Sequence, residues 1–312
     1  MRTMNYHAIK GIMRDFGARR SVKKTTDSAV VGIVTAILLI GLVVLVISIV
    51  QTVYVPQIME QREAEHMDMV ALQFAFLTSV IDNQAADEKK GVPIATSVTL
   101  GNRELPYLVS SKAFGSLEIF ERSSTITITN NSQSNPVTSV FPLGKITYSS
   151  SNAYYLDQSY TYETGAMIVS QDQGNLMMVP PNFFVEYNET TNIVNITFDV
   201  VNVSGIGQKV MASGYGTYPI QTEFYSVSVQ RNFSDVQTLT IASSYSNAWR
   251  VFLNRSLKAV GLNAAGYGTH FHLTDTGQAV TVDFLENGIL PTVIINFRII
   301  EIRAQIGPGW VE

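Results

Sequence analysis

Two of the four histidines stand one residue apart, in His270-Phe271-His272, and Asp275 follows closely. On a strand that spacing puts both imidazoles on one face, an arrangement that metal sites use. The pattern supplies no third ligand, so these residues read as surface histidines beside a turn, and no metal is expected. Asp172-Gln173-Gly174-Asn175 resembles part of a calcium loop but offers too few oxygen ligands at regular spacing. There is no G-x-S-x-G, no H-E-x-x-H and no glycine-rich loop to cradle a phosphate. With zero cysteines the chain has no thiol nucleophile, thiolate metal site or disulfide. No catalytic residue and no cofactor is assigned, no acidic pair stands out, and the expectation is a protein that is not an enzyme.

The residues that do carry a chemical signal are asparagines. N-x-[ST] sequons begin at Asn130, Asn188, Asn195, Asn202, Asn232 and Asn254. Such a site accepts a glycan only where the chain is exposed outside the cytoplasm, so its use depends on what surrounds it and on which side of a membrane it lies.

A segment that would cross a membrane lies upstream of all six. From Ala29 the sequence reads AVVGIVTAILLIGLVVLVISIVQTVY, ending at Tyr54, with no charged residue. At about 1.5 Å per residue this is long enough for a hydrocarbon core of roughly 30 Å. A core helix of that length would show a polar face, and this segment has none. Before it stand Arg2, Lys10, Arg14, Arg19, Arg20, Lys23 and Lys24; close after it there is only Arg62. That asymmetry predicts a cytoplasmic N-terminus and an extracellular C-terminal domain. Arg14, Arg19, Arg20, Lys23 and Lys24 set the topology, and the basic tail also suits lipid headgroups. The apolar run exceeds an ordinary signal-peptide core, and no small-x-small cleavage site follows it, so a retained anchor is expected.

Beyond Pro56, where a kink is expected, a helix-forming stretch places Met67, Val70, Phe74, Leu77 and Ile81 at spacings of three and four. This stripe suits packing beneath the protein's own head, or against neighbouring copies. Glu60 and Glu63 break the repeat, which argues against a long coiled coil. Gly91-Val92-Pro93 marks a boundary. After it come strand patterns at TITITN from Thr125, FFVEYN from Phe183, NITFDVVNV from Asn195 and AVTVDFL from Ala279. Near the C-terminus Asn296 and Arg298 have one parity, and Glu301, Arg303 and Gln305 the other, so a phase change, with a β-bulge, is expected at Ile299-Ile300. One helix, with Trp249, Phe252, Leu253 and Leu257 on its apolar face, runs from about Ser246 to Ala259 and stops at Gly261. ASGYGTY from Ala212 and AAGYGTH from Ala264 are alike, and glycines around a tyrosine suit tight turns.

The residues from Asp27 to Ile81, with an Asp-x-Ala-Val lead-in to the apolar helix, resemble the N-terminal region of archaeal type IV pilin-like surface proteins. The later layout, a Trp-bearing helix and then two terminal strands, is similar to archaeal single-pass membrane proteins of that general type. The resemblance implies a charged leader, an anchoring or filament-core helix and a β-rich, often glycosylated head. In type IV pilins a peptidase cuts between a positive charge and a small residue; here Lys23-Lys24 is followed by Thr25-Thr26-Asp27.

The expected fold is α+β and membrane-anchored. Residues 1–27 form a basic tail or leader, 28–54 the transmembrane helix, 55–90 an outer helix or stalk, and 91–312 a mainly antiparallel β-sandwich head with one packed helix. The expected function is a pilin-like structural component of the cell surface. Its partners would be the lipid bilayer and copies of itself or other envelope proteins, with no nucleic acid and no identified small-molecule substrate. The alternative is a membrane-tethered module that binds a ligand or partner, with Tyr154-Tyr155 and the Tyr160 and Tyr162 region lining its site.

Overall fold

The computed structural model describes residues 21–102, 111–132, 135–263, 270–284 and 291–310. Arg14, Arg19, Arg20 and most of the AAGYGTH stretch lie outside them; Lys23 and Lys24 fall on the first helix. The chain divides into two units, Met1–Ile58 and Met59–Glu312.

In the first unit, α1 (Ser21–Ile49) is apolar on every side from Val30 onward. Its large side chains from Val30 to Ile49 are 46–69% exposed, the reverse of a buried core helix. The one polar side chain in its middle, Thr35, returns its hydroxyl to the Val31 carbonyl at 2.8 Å, which satisfies the donor within the helix. A π-helical turn, Val50–Tyr54, follows, closed by the Val55 N–H donating to the Val50 carbonyl. The wider turn falls just before Pro56, which has no N–H to continue an α-helical ladder.

The second unit holds most of α2 (Val55–Asp87) and the β-rich body. The strands are β1 (Ile94–Thr99), β2 (Phe114–Ser132), β3 (Asn135–Ser151), β4 (Ser159–Glu163), β5 (Ala166–Gln171), β6 (Gly174–Val179) and β7 (Asn182–Asn188). They continue with β8 (Ile193–Gly205), β9 (Met211–Gly214), β10 (Thr217–Phe233) and β11 (Val236–Ala242). Helix α3 (Ser246–Ala259) precedes β12 (His272–Asp275), β13 (Ala279–Asp283) and β14 (Thr292–Ile306). One sheet has the order β1-β10-β14-β8-β7; the other runs β12-β13-β11-β2-β3-β4-β5-β6, with β9 beside β2. Pairing is antiparallel except for β8 against β14, which is parallel.

The expected phase change is present, and it involves more than one strand. In β14 both Ile299 and Ile300 are buried, and in β8 so are their register partners Val200 and Val201. The β8–β14 register runs on without an inserted residue. The expected bulge lies instead on β10, whose pairing with β14 shifts between Phe224 and Ser226 and again between Val227 and Val229. Because side chains alternate along a strand, burial therefore passes from one face of this sheet to the other. Up to Val200 and Ile299 the first face packs with Ile126, Ile128, Leu239 and Ile241 of the second sheet and with Trp249, Leu253 and Leu257 of α3. From Val201 and Ile300 onward the opposite face packs with Val70, Phe74, Leu77 and Ile81 of α2. The α2 stripe, 1% exposed or less, is thus core of the protein's own body.

At the level of the switch the two sheets nearly touch. A Cβ on Gly144 of β3 would lie 2.0 Å from the Val203 carbonyl oxygen of β8, so only glycine fits. The Gly144 N–H donates to Asn202 Oδ1 at 2.7 Å. Helix α3 spans the expected residues and ends in a Schellman motif: Gly261 (φ +91°) donates to the Lys258 carbonyl and Leu262 to that of Leu257. Glu63, whose charge breaks the apolar repeat of α2, is fully buried and accepts the backbone N–H groups of Ala153, Tyr154 and Tyr155.

Candidate functional site

Where α2 ends, the sheet face that it covers becomes open, and a cavity of about 560 Å³ forms there. Asp82, Ala85, Ala86 and Glu88 supply one wall, Asp199 and Val201 of β8 with Arg298 and Ile300 of β14 the floor, and Phe183, Phe184 and Phe252 an aromatic side. Gly165 and Pro180 to Asn182 complete it. Asp199 and Arg298 are register partners on the parallel pair, so strand geometry alone sets them side by side.

Arg298 bridges two carboxylates. Its guanidinium contacts Glu88 and lies 3.8 Å from Asp199 Oδ2. Asn182 Nδ2 donates to the same Asp199 oxygen at 3.1 Å. Asp199 Oδ1 and Arg298 Nε are both buried and have no hydrogen-bond partner. Across the cavity Asp82 Oδ1 accepts from the Tyr162 hydroxyl at 3.3 Å. Desolvation pushes the Asp82 carboxyl up to about 6 against that hydrogen bond. Desolvation also raises Asp199; the Arg298 charge opposes this and Glu88 adds to it. Two backbone positions nearby are strained. Glu88 ends α2 at φ 51°, where glycine is usual, and Thr164, a β-branched residue at φ 60°, forms the β4–β5 turn with Gly165. Among the described residues that line the cavity, the polar side chains are three carboxyl groups, the Asn182 amide and one guanidinium, beside three aromatic rings.

A second, smaller cavity lies between β2, β3 and the loop before α3. There Lys145 Nζ sits 5.0 Å from the Tyr245 ring centre and 3.9 Å from Glu163 Oε2. Glu163 is buried and accepts from the Trp249 indole at 3.1 Å. Burial raises its pKa, against a hydrogen bond from Ser243, the Lys145 charge and the Trp249 bond.

The residues singled out in the sequence lie elsewhere. His270 precedes β12 and accepts the Asn263 N–H on Nδ1 at 3.0 Å, while His272 opens the strand. Among the described residues no group of three His, Cys, Asp or Glu is placed to hold a metal ion. Tyr160 and Tyr162 are core, packed with Tyr148 and the α2 stripe, and burial pushes Tyr160 up to about 12.

The sequons differ sharply in setting. Asn188, at the β7–β8 turn, is exposed, and its Oδ1 accepts the N–H groups of Thr190 and Thr191 at 3.0 and 3.2 Å. Asn202 is half-buried and fully engaged, to Gly144 through Oδ1 and to Glu301 through Nδ2 at 2.7 Å. Asn130 donates to the Ser234 carbonyl, Asn195 is half-buried within β8, Asn232 is exposed on β10 and Asn254 is half-buried on α3.

Sequence reasoning missed Asp82, Glu88, Asp199 and Arg298 as a group, since they come from three elements and a helix end. One signal was available: Asp199 in NITFDVVNV and Arg298 in IINFRII are lone charges inside apolar strands, which need a partner once buried.

A model of a family described as a family of unknown function (DUF7289) matches residues 28–281. No curated protein and no solved structure matches the chain.

Proposed function

The chain belongs to DUF7289, a family of unknown function, and we propose that it is a non-enzymatic, single-pass, membrane-anchored protein of the cell surface, a pilin-like structural component with an extracellular β-sandwich head. One contrast carries this reading. The apolar side chains of α1 are exposed all round, and its most apolar 18-residue stretch has a mean hydropathy of 3.3 and no buried residue, whereas the apolar stripe of α2 is wholly used within its own body. A helix of the first kind gains most of its burial free energy in lipid, at roughly 25 cal/mol per Å².

Absence of cysteine makes orientation directly testable. In intact cells a membrane-impermeant maleimide labels Gln208→Cys, at an exposed turn of the body, and in a chain that keeps its leader labels Thr3→Cys only after lysis. Labelling in the opposite pattern overturns the orientation, and release of the protein by alkaline carbonate overturns the anchor. The N-terminus of protein taken from native membranes then reports on the pilin-like part. A start between Arg20 and Ala29 indicates peptidase processing; a start at Met1 sinks the filament role and leaves a tethered surface protein.

A further inference from the structure

We propose that the cavity at the end of α2 binds an organic ammonium that carries an apolar, aromatic-sized body, as the amide of an aromatic amino acid does. The site is built independently of any membrane role, and nothing in it rests on α1.

Size sets the first limit. About 560 Å³ falls within the ordinary range of small-molecule sites and suits a ligand of a dozen or so heavy atoms. Charge sets the second. Three carboxyl groups, Asp82, Glu88 and Asp199, face one guanidinium, Arg298, so the cavity holds a formal excess of negative charge in a partly desolvated setting. A cationic group relieves that excess and an anionic one adds to it.

The rings of Phe183, Phe184 and Phe252 then receive the apolar part, and their faces also favour a nearby cation. Phe184 is 65% exposed, so its ring stands at the rim of the cavity and is free to meet a ligand.

The strained backbone agrees with this assignment. Glycine at position 88 would end α2 without strain but would remove the carboxylate that fixes Arg298, and through it the orientation of Asp199.

The test uses the full-length chain in non-ionic detergent and isothermal titration with phenylalaninamide. One-to-one saturable binding is expected, weakened about tenfold or more by Asp199→Asn. Phe184→Ala, at an exposed rim position with no folding role, weakens it several-fold and keeps the test decisive if Asp199→Asn folds poorly. Equal binding of N-acetylphenylalaninamide, which lacks the charge, overturns the proposal. So does preference for 3-phenylpropanoate or for methyl glucoside, or the absence of saturable binding. Binding untouched by either substitution places the ligand elsewhere and overturns it as well.

Discussion

Glu63 on α2 accepts the backbone N–H of Tyr154 at 2.7 Å, ninety-one positions along the chain, and the same oxygen takes that of Tyr155 at 2.8 Å. Its other oxygen accepts from Ala153 at 3.2 Å. A buried carboxylate holding three N–H groups fastens the loop after β3 to the helix. Glu63→Ala leaves those donors without a partner and is expected to cost about 3 kcal/mol. Glu63→Gln keeps one acceptor oxygen and costs less. Urea unfolding measures both, and limited proteolysis should cut the Ala-variant loop near residues 152–157 first.

Asp82 makes stability depend on pH in a defined direction. Its folded value of about 6 lies above the ordinary 3.8, so between those values the folded state holds more protons than the unfolded one. Stability from this group is therefore present below about pH 4 and is lost as pH rises through 6. Asp82→Asn, which keeps an acceptor for the Tyr162 hydroxyl, should raise Tm at pH 7.5 and leave it nearly unchanged at pH 4. A Tm gain that is the same at both pH values would contradict this account.

Gly144 tests the contact between the sheets. With the Val203 carbonyl 2.0 Å from a built Cβ and that of Phe120 at 2.8 Å, the obstacles are backbone atoms that no side-chain rotation removes. Gly144→Ala should lower stability by about 3 kcal/mol or more, at the upper end of overpacking effects. Thermal unfolding of the variant gives the value; a loss below about 1 kcal/mol would mean that the sheets can part there.

Among the sequons the structure favours Asn188 and disfavours Asn202. If the body lies outside the cell, as proposed, peptide mass analysis of protein from cells that make it should find added mass on the Asn188 peptide and none on that of Asn202. Asn202→Ala should in turn weaken the fold by about 2 kcal/mol, because Gly144 N–H and Glu301 both lose a partner.

Several elements were legible in the residues themselves. Period-two runs such as TITITN and NITFDVVNV became strands because alternate side chains reach opposite faces whatever the neighbours are. The helix from Ser246 to Ala259 could be read from its apolar stripe and the glycine beyond it. The parity break at Ile299-Ile300 was also visible, but its meaning was not. A strand carries no record of which partner covers each face, so the bulge was expected on β14 and occurs on β10.

The sequence by itself determined which segments are helix, which are strand and which side of each is apolar, since these follow from chirality, periodicity and the avoidance of water by hydrocarbon. It determined equally that residues 30–49 have no polar face. Only the tertiary structure decided that burial passes from one sheet face to the other at Val200-Val201, that α2 covers the second face, and that Asp82, Glu88, Asp199 and Arg298 meet where that cover ends. Those outcomes depend on contacts between residues as far as 210 positions apart. Their free energies arise from shared desolvation and register, which no local pattern encodes.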